Sequence, residues 1–310
     1  MFKRMLTLAA MLLAAAAAQA QVAGPTLVPA APRILDPQAW TPNSSFTAEN
    51  PAAMMWAPHQ RFGGGQISSS DTDVTVVPNQ ELKYTGNYAG FEKITKEVAI
   101  GLEMVRLNSS AVPADEIAAT NGALATTIFP DTSMGFAMNH SKYTSGTNTD
   151  IINSPMMGVS YIKGGFVLGF AFGSDEVRSF NNTIETDYVR PIRMFGLGFY
   201  RDSGFLLHIE ANRISRSAFG PIPGSDSSLD SFVVEGNVAN IHVGYTLSVM
   251  RDNAGFDRST FNIIDIGYAK MDGFAVLYHL EKGTRSQTAG GVSTETDTYD
   301  TSSVSIALHF

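Results

Sequence analysis

The sequence contains no cysteine, few charged residues and, after its first twenty positions, no long apolar run. Without cysteine the fold cannot use disulfides, so a packed core, a closed hydrogen-bonded sheet or lipid must hold it together. Only 16% of the residues are charged, against about 25% in an ordinary soluble domain. No later stretch approaches the ~20 apolar residues that a membrane helix requires. These absences favour a chain that does not present all of its outside to water.

The charge that is present is mainly acidic, with 21 lysine and arginine residues against 29 aspartate and glutamate residues. An acidic chain is a poor partner for nucleic acid, and it lacks the polybasic surface that binds anionic membranes. We therefore expect no nucleic-acid partner.

The first twenty residues have the pattern of a secretory signal peptide. Lys3 and Arg4 precede an apolar run, and Ala18-Gln19-Ala20 supplies the small residues of a cleavage site. We predict a signal peptide over residues 1–20, cleaved after Ala20, and an exported mature chain. The alternative, a membrane anchor or buried helix, is disfavoured because the apolar run is short.

Alternation of apolar and small or polar residues runs through the rest of the chain. In "FVLGFAFG" (166–173) bulky residues occupy every second position, and the pattern recurs at 98–104, 195–199, 241–249 and 274–281. Period two is typical of β-strands with one apolar face. The pattern predicts an all-β antiparallel fold of about fourteen strands, placed at 64–77, 81–95, 97–108, 122–129, 132–144, 153–163, 165–177, 187–200, 204–215, 229–237, 241–252, 256–270, 273–286 and 298–310.

The spacing of turn signals predicts short hairpin turns at one end of the strands, at 163–165, 201–204 and 270–273. Longer polar connections are expected at the other end, and we place them at 109–121, 178–186, 216–228 and 287–297.

A membrane barrel and a water-soluble sandwich both fit alternation alone. Aromatic residues flank the short turns, as at a membrane interface, and the small or polar face is poor in lysine. A sheet can cross hydrocarbon only when it is closed, because an open edge leaves backbone groups without partners. We therefore predict a transmembrane antiparallel β-barrel, with a secreted sandwich or adhesin as the alternative.

The last strand carries a second signal. Val304, Ile306, Leu308 and Phe310 alternate with small or polar residues up to the final aromatic ring. This ending resembles the recognition signal of bacterial outer-membrane barrels, which is read by the barrel assembly machinery. The resemblance implies an outer-membrane location, with that machinery, membrane lipid and lipopolysaccharide as partners.

Residues 41–62 lack strand periodicity and contain Asn50-Pro51-Ala52-Ala53. This stretch resembles the "NPA" segment in the N-terminal hatch of the FadL-like family, outer-membrane channels for long-chain fatty acids and other hydrophobic compounds. In that family the hatch folds into the lumen as a plug. The resemblance implies a hatch over 21–62 and a barrel over 63–310.

The hatch also supplies candidate ligand contacts. Asn-Pro initiates turns, alanines allow close packing, and methionine offers an adaptable surface for an alkyl chain. The alternative is that the methionines and tryptophan only wedge the plug in place or begin the first strand. The candidate residues are Asn50, Pro51, Met54, Met55 and Trp56.

The predicted registers also direct polar side chains into the lumen. These are Glu103, His208, Glu210, Asn212, His242, Asp265, His279, Glu281 and His309. They would form either a metal or proton-linked site or a hydrogen-bonded network; we favour the network, because no tight ligand spacing is present. Arg190, Lys142 and Arg213 are candidates for binding a ligand carboxylate, although loop-solvated charge is the favoured interpretation.

The sequence contains no Gly-x-Ser-x-Gly motif and no supported catalytic arrangement, so we predict neither an enzyme nor a cofactor or metal. The predicted function is passive uptake of a hydrophobic small molecule through a plugged barrel. A general diffusion porin or a small structural barrel is the alternative, and the oligomeric state is left open.

Overall fold

The structure is a computed structural model of the chain. It describes residues 50–56, 61–75, 80–94, 97–110, 115–181, 184–202, 206–216, 227–252, 257–270, 273–289 and 292–309. The predicted signal peptide (1–20), most of the predicted hatch (21–49 and 57–60) and Phe310 lie outside the described residues.

A 3₁₀-helix (Pro51–Trp56) precedes the β-strands. The strands are β1 (Arg61–Asp73), β2 (Gln80–Ile94), β3 (Val98–Ser109), β4 (Glu116–Phe129), β5 (Thr132–Ser145), β6 (Asn148–Lys163), β7 (Phe166–Asn181), β8 (Ile184–Asp202), β9 (Leu206–Arg216), β10 (Ser227–Val238), β11 (Ile241–Asp252), β12 (Asp257–Ala269), β13 (Phe274–Ala289) and β14 (Val292–His309). No helix in the described part of the chain is long and apolar enough to cross a membrane.

The fourteen strands form one closed barrel in chain order, with every neighbouring pair antiparallel. The ring closes where β1 pairs with β14, for example Phe62 with Leu308 and Gly63 with Ala307. Closure gives every strand two hydrogen-bonded neighbours, which is the condition for a sheet to lie in hydrocarbon. The predicted all-β, closed antiparallel barrel is confirmed.

Side chains alternate between an apolar outer face and a buried inner face. On β7, the outer Phe166, Leu168 and Phe170 are 37% to 47% exposed, while the inner Val167 and Ala171 are fully buried. Exposed phenylalanine, isoleucine, leucine and valine recur on the outer face of strands throughout the barrel. An apolar outer band of this kind is typical of lipid-facing barrels.

The last strand follows the same alternation. Val304, Ile306 and Leu308 lie on the outer face with about half of their surface exposed, whereas Ser303 and Ser305 are buried on the inner face. The predicted outward orientation of these three residues agrees with the structure.

The connections at the end opposite the short turns are shorter than predicted. β7 continues to Asn181 and β8 begins at Ile184, so most of 178–186 is strand; β13 and β14 likewise occupy most of 287–297. These strand ends are polar on both faces and are joined by ion pairs such as Lys282–Asp300 (3.1 Å). Polar threonine-rich strands that extend past an apolar band show no alternation, so their sequence resembles a loop.

The short turn predicted at 163–165 is confirmed, whereas those predicted at 201–204 and 270–273 lie partly outside the described residues. Gly164 and Gly165 have φ of 60° and 87°, values at which glycine is free of steric penalty. Ala239 and Asn240 have φ of 50° and 67° and divide the stretch 229–252 into β10 and β11. Two successive positive φ values match the hairpin turn that follows the right-handed twist of paired strands.

Candidate functional site

The 3₁₀-helix lies against the inner wall of the barrel, where it contacts β2 to β6. Ala52 and Ala53 are fully buried, and Met54 is 2% exposed. The residues of this helix therefore lie inside the barrel.

A pair of glycines makes room for this helix. Gly135 on β5 and Gly158 on β6 are opposite each other in the sheet. A Cβ added at Gly135 would overlap the backbone of Pro51 and Ala52, and a Cβ added at Gly158 would overlap the Asn50 side chain. The Asn-Pro-Ala segment therefore packs directly on bare backbone.

Hydrogen bonds hold the segment at this position. Asn50 Nδ2 donates to the carbonyl of Val159 (3.0 Å), and its Oδ1 accepts from the backbone N–H of Ala52 (3.1 Å). Ser133 Oγ donates to the carbonyl of Ala52 (2.7 Å). The Asn50 side chain thus both caps the turn and joins it to β6.

Met54 joins the helix to a continuous apolar surface, which we call the apolar wall. It is formed by inner-face side chains from β3 to β10 together with the helix; its buried members are Ala53, Met54, Ala99, Ala123, Ala125, Ala137, Met156, Val167, Ala171, Ile192, Met194, Ile214 and Leu229. Met55 packs against it. The side chain of Trp56 lies outside the described residues.

The apolar wall spans much of the barrel height. It begins beside the 3₁₀-helix near the short-turn ends of β3 to β7, at residues such as Ala99 and Val167. It reaches the opposite ends of β9 and β10 at Ile214 and Leu229, and the middle of β8 at Ile192. The apolar wall is therefore a continuous buried layer from the 3₁₀-helix to Leu229.

The remaining part of the inner wall carries ionisable groups, which we call the lumen cluster. It consists of Glu235 on β10, His242 on β11, Asp265 on β12, and His279 and Glu281 on β13, each no more than 2% exposed. His279 Nδ1 is 2.7 Å from Asp265 Oδ1. His279 Nε2 is 3.8 Å from Glu281 Oε2, and His242 Nε2 is 3.8 Å from Glu235 Oε2.

Gly244 brings the two halves of the lumen cluster together. A Cβ added at Gly244 would lie 3.4 Å from His242 Nε2, 3.4 Å from Asp265 Cβ and 3.5 Å from Glu235 Cβ. The pairing of Gly244 with Glu235 on one side and Asp265 on the other places these groups on three adjacent strands. The five side chains therefore form one site.

Among the other predicted lumen residues, only Glu103 has a described side chain, and it is separate from this cluster. Glu103 lies on β3, where its Oε2 accepts a hydrogen bond from Asn121 Nδ2 (3.0 Å). His208, Glu210 and His309 lie on β9, β9 and β14, and their side chains are outside the described residues, as is that of Asn212. No group of three or more residues able to hold a metal ion is present in the described ranges.

Two features of the inner wall were missed by the sequence analysis. Glu235 was not assigned to the lumen, although it alternates with Val233 and Asn237. Arg190, interpreted as a loop-solvated charge, is instead buried, with its Nη2 2.8 Å from Asp175 Oδ2. The contact between Asp175 and Arg190 depends on the β7–β8 register, which pairs these two residues and cannot be inferred from either strand alone.

The other basic candidates are accessible. Arg213 is exposed and pairs with Asp230, with its Nε 2.6 Å from Asp230 Oδ1. Lys142 is also exposed. Neither is positioned on the apolar wall.

No protein-family model and no curated protein sequence matches the chain. Solved structures do match. The Pseudomonas putida toluene transporter TodX superposes with a TM-score of 0.56 at 10% identity, covering 87% of this chain and 94% of that one. A Pseudomonas aeruginosa FadL homologue superposes with a TM-score of 0.58 at 10% identity, covering 87% of this chain and 94% of that one. The Ralstonia pickettii toluene transporter TbuX superposes with a TM-score of 0.54 at 10% identity, with the same two coverages.

TodX and TbuX are toluene transporters, and each of the three structures matches over 94% of its length. The likeness covers 87% of this chain, which is far more than one hairpin or sheet. The chain therefore shares its fold with transporters of the FadL family.

Proposed function

We propose that this protein is an outer-membrane channel for passive uptake of hydrophobic small molecules. The observation that carries the proposal is the apolar wall, which joins the 3₁₀-helix to the opposite ends of β9 and β10. A general diffusion channel has a polar, water-filled interior. A continuous apolar surface inside a barrel is instead suited to a solute that avoids water.

The fold supports the same class of solute. TodX and TbuX are toluene transporters by name, and their barrels are similar in fold to this one. The outer apolar band and the Val304–Leu308 strand support insertion into an outer membrane by the barrel assembly machinery, with membrane lipid and lipopolysaccharide around the barrel.

In the proposed mechanism, a hydrophobic molecule enters near Ile192, Ile214 and Leu229 and moves along the apolar wall toward Met54. No energy source is required, because each step exchanges one apolar contact for another. The Asn50–Trp56 segment, held on Gly135 and Gly158, acts as part of a plug formed by residues 21–62. Its release from the wall, or an opening in the barrel wall, lets the molecule leave.

The test is uptake by proteoliposomes containing the purified protein. We expect faster uptake of radiolabelled dodecanol than in protein-free liposomes. Met194→Gln places a polar amide on the apolar wall and should slow uptake about tenfold, since a buried methionine contributes roughly 1.5–3 kcal/mol. Met138→Gln is the matched control, because Met138 faces outward and is 44% exposed.

The alternative, a general diffusion porin, predicts different results. A porin should allow small sugars to permeate rapidly in a liposome-swelling assay. The Met194→Gln and Met138→Gln variants should also take up dodecanol at equal rates. Deletion of residues 21–58 tests the plug separately: a plug predicts a higher single-channel conductance in planar bilayers, whereas a segment outside the lumen predicts no change.

A further inference from the structure

Four exposed arginines lie together on the outer face of the barrel. They are Arg193 on β8, Arg213 on β9, Arg251 on β11 and Arg258 on β12, and the strand between them, β10, contributes Asp230. We call these five residues the arginine patch. Its four arginines and one aspartate give a net charge of +3 (4 − 1), in a chain whose net charge is −8.

The strand registers assemble the arginine patch. One row of cross-strand neighbours runs from Arg193 through Ser215 and Ser228 to Arg251 and Arg258. The other two members pair with each other in the next outward-facing row. The sequence contains no basic run at these positions, so this basic surface, which the sequence does not indicate, depends on contacts between distant parts of the chain.

Asp230 fixes two of the arginines. Its carboxylate accepts hydrogen bonds from Arg213 Nε (2.6 Å) and Nη2 (2.8 Å), one on each oxygen, and a further one from Arg251 Nη1 (3.0 Å). A bidentate pair of this kind sets the plane of the guanidinium as well as its distance. The two guanidinium groups are therefore held side by side on one carboxylate.

Arg251 and Arg258 are directly opposite each other on neighbouring strands. Like charges in this position destabilise a sheet. Their neighbours on the other sides are serines, Ser228 and Ser286, and Arg258 forms no ion pair with any residue that the structure describes. The excess positive charge of this pair is suited to an anion from outside the chain.

Other basic residues of the outer face differ from the arginine patch. Arg106 on β3 lies 2.8 Å from Glu116 on β4, and Arg178 on β7 lies 3.2 Å from Asp187 on β8. Each of these arginines faces a carboxylate on the neighbouring strand. They therefore provide matched controls for an arginine that lacks one.

The arginine patch lies at the edge of the apolar outer band, away from the short turns. Nine residues of β8 (194–202), ten of β11 (241–250) and eleven of β12 (259–269) separate its arginines from those turns. A membrane-spanning strand needs about 9–11 residues. Because short turns of outer-membrane barrels are periplasmic, the patch would lie at the headgroups of the outer leaflet.

The lipid of that leaflet is lipopolysaccharide, whose lipid A moiety combines phosphate groups with several acyl chains. Guanidinium groups bind phosphate oxygens bidentately. Just below the patch, Phe195, Phe232 and Ile264 face outward and are 46% to 49% exposed, so acyl chains would contact apolar side chains there. The surface thus matches both parts of this lipid.

We propose that the arginine patch is a binding site for the phosphates of one lipid A moiety of lipopolysaccharide. The proposal rests on the proposed function, because it requires the barrel to lie in the outer membrane. Arg251 and Arg258 hold one phosphate between them. Arg193, three strands or about 14 Å from Arg251, binds the second phosphate.

The experiment uses native mass spectrometry of the purified full-length protein in a neutral detergent. Synthetic lipid A is compared with the same molecule lacking its phosphates and with phosphatidylglycerol, and lipid A is also added in the presence of millimolar inorganic phosphate. We expect one lipid A retained per barrel, at an affinity about tenfold or more above those of the other two lipids. Inorganic phosphate should not displace it.

The double variant Arg251→Gln/Arg258→Gln should lower lipid A affinity by about tenfold or more, because two phosphate-binding charges are lost. Arg106→Gln/Arg178→Gln removes the same charge from outward-facing ion pairs elsewhere and should change the affinity less than about twofold. Heat-modifiable gel migration verifies that both variants fold.

Equal retention of lipid A with and without phosphates, or equal loss of affinity in the two double variants, overturns this inference. Equal binding of phosphatidylglycerol, or displacement by inorganic phosphate, overturns the assignment to lipid A. All of these outcomes leave dodecanol uptake by proteoliposomes unaffected, whereas absence of that uptake refutes the proposed function whatever lipid is retained.

Discussion

The docking of the 3₁₀-helix on Gly135 gives the most direct test of the inner architecture. In Gly135→Ala, the added methyl group would overlap the backbone of Pro51 and Ala52, neither of which can move aside by side-chain rotation. The helix must therefore leave its position on β5. Gly122→Ala on β4 is the matched control, because the nearest atom to its Cβ, the Met138 carbonyl oxygen, is 3.8 Å away.

The size of the effect follows from the contacts that displacement removes. Two hydrogen bonds are lost, Asn50 to Val159 and Ser133 to Ala52, each worth about 1 kcal/mol. Met54 also loses its burial, worth about 2 kcal/mol. The sum, about 4 kcal/mol, corresponds to a shift of roughly a thousandfold between the docked and released helix.

The assay uses the absence of cysteine from the chain. Met54→Cys introduces the single thiol, and its reaction with a water-soluble maleimide reports release of the helix. We expect slow labelling in Met54→Cys alone and with Gly122→Ala, and labelling accelerated by two to three orders of magnitude with Gly135→Ala. Equal labelling rates in the Gly122→Ala and Gly135→Ala backgrounds would refute the docking of this segment on the glycine pair.

Three further predictions concern other parts of the barrel. Asn50→Ala removes the hydrogen bonds that Asn50 makes with the Val159 carbonyl and the Ala52 N–H. It should raise the rate of maleimide labelling of Met54→Cys by about tenfold. A labelling rate equal to that of Met54→Cys alone would contradict the role of Asn50. Asp175→Asn leaves the buried Arg190 without a counter-charge and should lower the free energy of unfolding in urea by about 3–5 kcal/mol; Asp187→Asn, at an exposed ion pair with Arg178, should cost less than about 1 kcal/mol. Ile266→Arg places a charge on the apolar outer face and should destabilise the barrel in lipid by about 2–4 kcal/mol. Asn262→Arg, four residues nearer the polar strand ends, should destabilise it less. Equal losses of stability in the two variants would argue against a lipid-facing band.

The sequence predicts the barrel well because the period-two pattern depends only on near neighbours along the chain. The alternation of Phe166 to Gly173 determines which side chains of β7 face lipid, and the structure agrees. The alternation fails at the strand ends that carry threonine and charged residues on both faces. Those ends pair as strands through cross-strand ion pairs such as Lys282 with Asp300, which depend on a partner far away in the sequence.

The candidate site was predicted less completely for the same physical reason. Period two places His242, Asp265, His279 and Glu281 on the inner face, but only the strand registers show that Glu235 belongs with them and that Gly244 lies between them. Likewise, the sequence Asn50-Pro51 predicts a turn, but it does not indicate that this turn packs on the Gly135–Gly158 pair. The two glycines are 23 residues apart and are matched only by the β5–β6 register.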